Sequence, residues 1–99
     1  MSACHFDFSL PAEVSSLLRA LRADFARFGG TVSGDEGPGF GEFSLPTPLG
    51  TFSGTYEVSS DAPGVCAVHI EVDEKPMFVP CSAIEEHLGR RLSKAAAGA

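Results

Sequence analysis

The segment AEVSSLLRALRADFARFGG constrains the fold of this chain more than any other. Val14, Leu17, Leu18, Leu21, Phe25 and Phe28 recur at intervals of three and four, which draws one apolar stripe along an amphipathic helix. Pro11 suits an early helical position, where a missing N–H costs nothing, and that places the cap near Ser9 or Leu10. Glu13 lies near the positive end of the helix and Arg27 near the negative end. Gly29-Gly30 supplies the left-handed stop. Leu21 and Phe25 are the expected core anchors. Arg19 and Arg22, on the side opposite Leu17 and Leu21, read as a solvated face.

Around this helix the chain reads as strands. CHFDFSL puts Phe6, Phe8 and Leu10 on one face and His5, Asp7 and Ser9 on the other. TVSGDEGPGFGEF is a short extended piece and a glycine-rich loop, and from Phe40 the pattern becomes strand-like. GEFSL turns at PTPLG, and TFSGTYEV runs back with Phe52, Tyr56 and Val58 on its apolar face. Gly54 shares that face, where a missing side chain would admit a crossing helix. SSDAPG is turn chemistry, and VCAVHIEVD turns Cys66, Val68, Ile70 and Val72 inward.

KPMFVPCSAIEEHL then poses a choice between a reactive thiol, a docking patch and a corner. Pro76 and Pro80 cannot donate to a central ladder, so KPMFVP leaves the sheet or runs along an edge. Ser82-Ala83-Ile84-Glu85 fits a capping box. Ile84, Leu88 and Leu92 continue as a narrow apolar stripe, with Glu86 and Arg90 as an i, i+4 pair. The segment is thus a strand-to-helix corner. Met77, Phe78 and Val79 cannot all be buried by alternation, which makes them a possible docking edge for a partner or a weak homodimer.

The expected fold is a single α+β domain over residues 1–94, with 95–99 as a flexible tail. Its order is β-α-β(3–4)-α: an antiparallel sheet covered on one face by a long N-terminal helix and a shorter C-terminal helix. This is a reduced helix-grip-like arrangement. The five phenylalanines 6, 8, 25, 28 and 52 offer enough bulk to fill such a groove from within.

Charge narrows the partners. Residues 1–49 carry three Arg against six acids, and residues 50–99 carry four Lys or Arg against seven. With no basic block, nucleic acid and anionic membrane surfaces are excluded as general partners. No apolar run reaches the roughly 20 residues that span a bilayer. MSACHFDFSLPAE has neither a basic leader nor a continuous apolar stretch, and Cys4, Cys66 and Cys81 are odd in number and irregularly spaced. Reduced thiols and a cytoplasmic setting are the expectation.

No catalytic, cofactor-binding or metal-binding residue emerges from the pattern. Cys81 precedes a helix, where a thiol's pKa can fall, but His87 lies too far along to serve as its base, so Cys81 reads as a structural thiol. His5, Asp7, His69, Glu71 and Asp73 share the outer sheet face, as polar residues of any solvated face do. GDEGPGFG lacks the lysine of a phosphate-binding loop, and Asp35 and Glu36 would repel phosphate.

The helix LPAEVSSLLRALRADFARFGG behind an N-terminal strand, followed by GTFSGTYEV, VCAVHIEV and IEEHLGRRL, resembles the small polyhydroxyalkanoic acid system proteins of bacteria, which are associated with storage-polyester granules. The resemblance covers most of the chain as a pattern of elements, and VSGDEGPGFGEFSLPTP is longer than that pattern requires. It implies a non-enzymatic cytoplasmic accessory domain acting through protein or granule-surface contacts, and it brings no catalytic residues. The alternative is a small apolar-ligand carrier or minimal enzyme with an interior pocket.

Overall fold

The chain opens with strand β1 (Cys4–Leu10) and helix α1 (Val14–Arg27). Strands β2 (Thr31–Val32), β3 (Gly39–Thr47), β4 (Gly50–Ala62) and β5 (Val65–Glu74) follow, and helix α2 (Cys81–Gly98) closes it. The computed structural model describes residues 3–34, 37 and 39–98. All pairings are antiparallel, in the order β1-β5-β4-β3-β2. Strands β2 to β5 form a meander, whereas β1 sits at the far edge beside β5. Helix α1 therefore carries the chain across the whole width of the sheet, and both helices share one face.

Register explains the core. Phe6 faces Ile70 and Leu10 faces Cys66 across the β1–β5 pair, while Tyr56 faces Ile70 and Val58 faces Val68 across β4–β5. These inward residues are buried, together with Leu17, Leu18, Leu21 and Phe25 of α1 and Ile84, Leu88 and Leu92 of α2. The alternation and the helical stripes thus meet in one core, as their periodicities require. The expected anchors Leu21 and Phe25 are among them.

The ends of α1 differ in how far the sequence foretells them. At the C-terminus, Gly29 adopts φ +78°, its N–H bonds to the Ala26 carbonyl, and the Gly30 N–H reaches the Phe25 carbonyl. That is a Schellman motif, as the Gly-Gly pair implies. The N-terminus lies further along than Pro11 suggests. The cap residue is Glu13, without a side-chain cap bond, because its carboxylate accepts the Gly64 N–H of the β4–β5 turn at 2.8 Å. Arg22, expected in solvent, donates to the Val32 and Gly34 carbonyls and ties α1 to β2.

Gly54 serves a different purpose from the one its pattern suggested. A side chain there would meet the Glu71 carbonyl oxygen at 1.9 Å, so the glycine admits the backbone of β5 at a register shift, not a helix.

The C-terminal helix departs most from expectation. At 18 residues α2 is longer than α1 at 14. It begins one residue before the anticipated capping box, with the Pro80 carbonyl accepting from Ala83 and Ile84. Residues 95–98 continue it, and Ala95 and Ala96 are buried, because small side chains allow α2 to stay close to the rest of the core.

Cys4 and Cys81 form a disulfide, not a pair of reduced thiols, and Cys66 alone is free among the described cysteines. The fold sets the start of β1 beside the start of α2, with Cα atoms 5.7 Å apart, inside the usual window for a disulfide. The sequence separation of 77 conceals this proximity.

A crosslink closing so long a loop removes much of the unfolded chain's freedom, so Cys4→Ser or reduction should cost about 2–5 kcal/mol. Urea unfolding with and without reductant checks this. A wild-type midpoint that reductant leaves unmoved would mean that the bond is not formed in solution.

Candidate functional site

The two helices do not close over the whole inner face. Between the N-terminal half of α2 and the tip of the β3–β4 hairpin lies an open cavity of about 440 Å³. Its floor includes Phe43, Leu45, Phe52 and Val72, and Ile84 and Leu88 form the α2 wall. Leu49 and Val79 stand at the rim, and Phe25 closes the side toward α1. Phe25 and Phe52 therefore line the groove without filling it, and Phe28 turns outward instead. A smaller void of about 40 Å³ lies deeper between the helices and the sheet.

Apart from Thr47 and His87, the lining is apolar. The Thr47 hydroxyl is engaged in both directions: it donates to the Gly50 carbonyl at 2.6 Å and accepts the Leu49 N–H at 3.2 Å. His87 accepts at Nε2 from Arg91 Nε at 3.0 Å. Arg91 in turn bridges to Asp24 of α1 at 2.7 Å and lies over the Phe28 ring, 4.6 Å from its centroid. Arg91 and Asp24 are each about one-fifth exposed, so the bridge is sheltered from solvent on both sides. Partial desolvation of His87 and the charges of Arg91 and Arg90 hold its pKa below the ordinary value, against the opposing pull of Asp24. The side chain is otherwise exposed. Its i, i+4 neighbour pair, Glu86 with Arg90, forms as the spacing implies.

The anticipated docking segment is not a strand edge. Strand β5 ends at Glu74, and residues 76–79 form a turn closed by the Val79 N–H on the Pro76 carbonyl. Met77 and Phe78 are 86% and 94% exposed, while half-buried Val79 faces the cavity. Lys75 braces the turn by donating to the Val79 carbonyl at 2.9 Å.

On the outer sheet face, the β1–β5 register places Asp7 opposite His69. His69 Nδ1 lies 2.7 Å from Asp7, and Nε2 is 3.9 Å from Glu71. The hydrogen bond to Asp7 is the main reason that the His69 pKa is raised. His5 stacks at a tilt 6.4 Å away. Among the described residues, no three His, Cys, Asp or Glu side chains are grouped as a metal ion would need. Cys81 is consumed in the disulfide, and burial, aided by the charge of Glu13, pushes the Cys66 thiol up and leaves it inert. Asp35 and Glu36 lie outside the described residues.

The cavity brings together residues that no local pattern joins. In sequence PTPLG marks only a corner, and His87 stands out only as a partner for Cys81. The helical spacing of His87 and Arg91 was the one available signal.

No known family profile matches the chain, and no curated protein matches it. Among solved structures, the crystal structure of Ara h 8.0201 is similar over 96% of this chain and 94% of that one, at 12% identity and a TM-score of 0.38. A likeness at that score decides neither fold nor function. No described helix is long and apolar enough to cross a membrane.

His69 gives the sheet face a pH signature. Because its folded pKa is raised, its stabilising contribution is present below the ordinary value of 6.5 and is lost as pH rises through the folded pKa. His87, with a lowered folded pKa, acts in the opposite sense: its contribution is present above 6.5 and is lost as pH falls through the folded value. Asp7→Asn should bring the His69 titration back toward 6.5, as read by NMR of the imidazole protons. An unmoved titration would remove the Asp7–His69 pair from the solution structure.

Proposed function

We propose that this domain binds a small apolar molecule in the cavity between α2 and the β3–β4 hairpin, as a reduced helix-grip-like carrier. The observation that carries this reading is the cavity itself, whose volume of about 440 Å³ falls in the range of small-molecule sites, about 300–1,000 Å³. An apolar lining with few polar groups is what such sites use for affinity and orientation. Carriage is favoured over catalysis because the described lining offers one hydroxyl that is already engaged and one imidazole, with no nucleophile set against a base.

The test uses Nile red, a neutral apolar dye. Saturable binding at one dye per chain is expected. Ala83→Trp, which adds bulk at an exposed position lining the cavity, should weaken it at least tenfold and leave stability within about half a kcal/mol. Equal binding by both proteins would place the dye elsewhere and end the cavity reading.

A second reading draws on the turn at Met77 and Phe78, whose near-complete exposure beside the cavity rim leaves apolar area for a partner to cover. Contact with a protein partner, a second copy or a granule surface would use that turn, in keeping with the accessory role that the polyhydroxyalkanoate-system resemblance implies. Met77→Lys with Phe78→Lys should abolish any concentration-dependent rise in sedimentation mass while leaving Nile red binding in place. A wild type that stays monomeric at every concentration would remove self-association. The Cys4–Cys81 disulfide removes reduced thiols as one of the grounds for the expected cytoplasmic setting.

A further inference from the structure

We infer that the molecule held in the cavity is an amphipathic monocarboxylate, anchored through the Nδ1–H of His87; this rests on the cavity reading above. The argument starts from Arg91, whose guanidinium carries only donors. Its Nε lies 3.0 Å from His87 Nε2, so that nitrogen must accept. A neutral imidazole that accepts at Nε2 carries its hydrogen on Nδ1. Arg91 therefore selects the tautomer.

The selection is firm because Arg91 is itself fixed. Asp24 holds its guanidinium at 2.7 Å, and the Phe28 face supports it from the other side. Protonated His87 would turn a second donor toward that guanidinium, so the same geometry keeps the ring neutral. Among the described residues no protein acceptor engages Nδ1. With the Thr47 hydroxyl already engaged, the Nδ1–H is the one side-chain donor of the lining left for a ligand.

What it recognises follows from the surrounding charge. The lining holds no acid, so an acceptor headgroup meets no repulsion there. Lys75 braces the rim through Val79, and Arg90 and Arg91 flank His87 one turn along α2. Glu86 and Asp24 are paired to those two arginines, so these charges compensate one another and neither acid is left to repel an anionic headgroup at His87. A carboxylate oxygen on Nδ1–H gains a charge-assisted bond that a neutral oxygen lacks, and its hydrocarbon chain would lie along Leu88, Ile84 and Phe52.

Displacement of Nile red tests the assignment with two probes, dodecanoate and naphthalene, the latter apolar and without an acceptor. Wild type should bind both. His87→Phe, which keeps a ring and removes the donor, should weaken dodecanoate about tenfold and leave naphthalene within about twofold, a tenfold change being about 1.4 kcal/mol. If dodecanoate binding survives His87→Phe unchanged, or both probes weaken equally, the anchor is overturned while the cavity reading stands. If neither probe displaces the dye from wild type, the cavity reading falls and takes this inference with it. Nitrogen-15 NMR of unliganded protein gives an independent readout. Hydrogen on Nδ1 is expected for His87, and finding it on Nε2 would overturn the proposal.

Discussion

Two helices have to cover the inner face of a five-stranded sheet, and they are too short to do it. At about 3.3 Å per residue the 13 residues of β4 run roughly 40 Å, while α1 and α2 at 1.5 Å per residue reach only about 21 and 27 Å. The longest dimension of the molecule, 39 Å, reflects the strand and not the helices. One surplus end of β4, Ser59 to Ala62, is polar or small and stands in solvent. The other end, around Phe52 and the hairpin to β3, is apolar and lies under the N-terminal half of α2. The shortfall thus becomes a solvated hairpin at one end and a cavity at the other. Only the second carries an unmet apolar surface.

How far the sequence disclosed this depends on the range of the interaction. Strand faces and helix stripes are set by neighbours two to four residues apart, so Val68, Ile70, Leu21 and Leu88 were legible as core residues. The Gly29-Gly30 stop was legible for the same reason. The N-terminus of α1 was not, because Glu13 takes its partner from Gly64, 51 residues away. Gly54 misled in the same manner: its missing side chain is explained by a strand backbone that the sequence does not place beside it. The cavity needs three remote segments at once, and the Cys4–Cys81 bond joins the ends of the fold. Odd cysteine number spoke for reduced thiols only while the spatial closeness of two of them was unknown. His87 illustrates the limit most sharply. Its tautomer is decided by Arg91, a local neighbour, but its relevance is decided by the hairpin opposite.

An open apolar cavity is a liability in a domain of this size. Its lining forgoes dispersion contacts that a filled core would make, and a chain near 100 residues has little surplus burial to absorb the loss. The structure holds α2 in place at two points instead. Cys81 fixes its start to β1, and Arg91 fixes its middle to Asp24 on α1. Ile84, His87 and Leu88 lie on the span between those points, which is the span that faces the hairpin across the cavity. Without the first point, α2 would be free to settle toward the half-buried Phe52 and the exposed Leu49 and cover them, gaining contacts at the expense of the cavity. The crosslink therefore does more than restrict the unfolded chain. It also ties the start of the cavity's α2 wall to β1, which resists movement of that wall into the underfilled end.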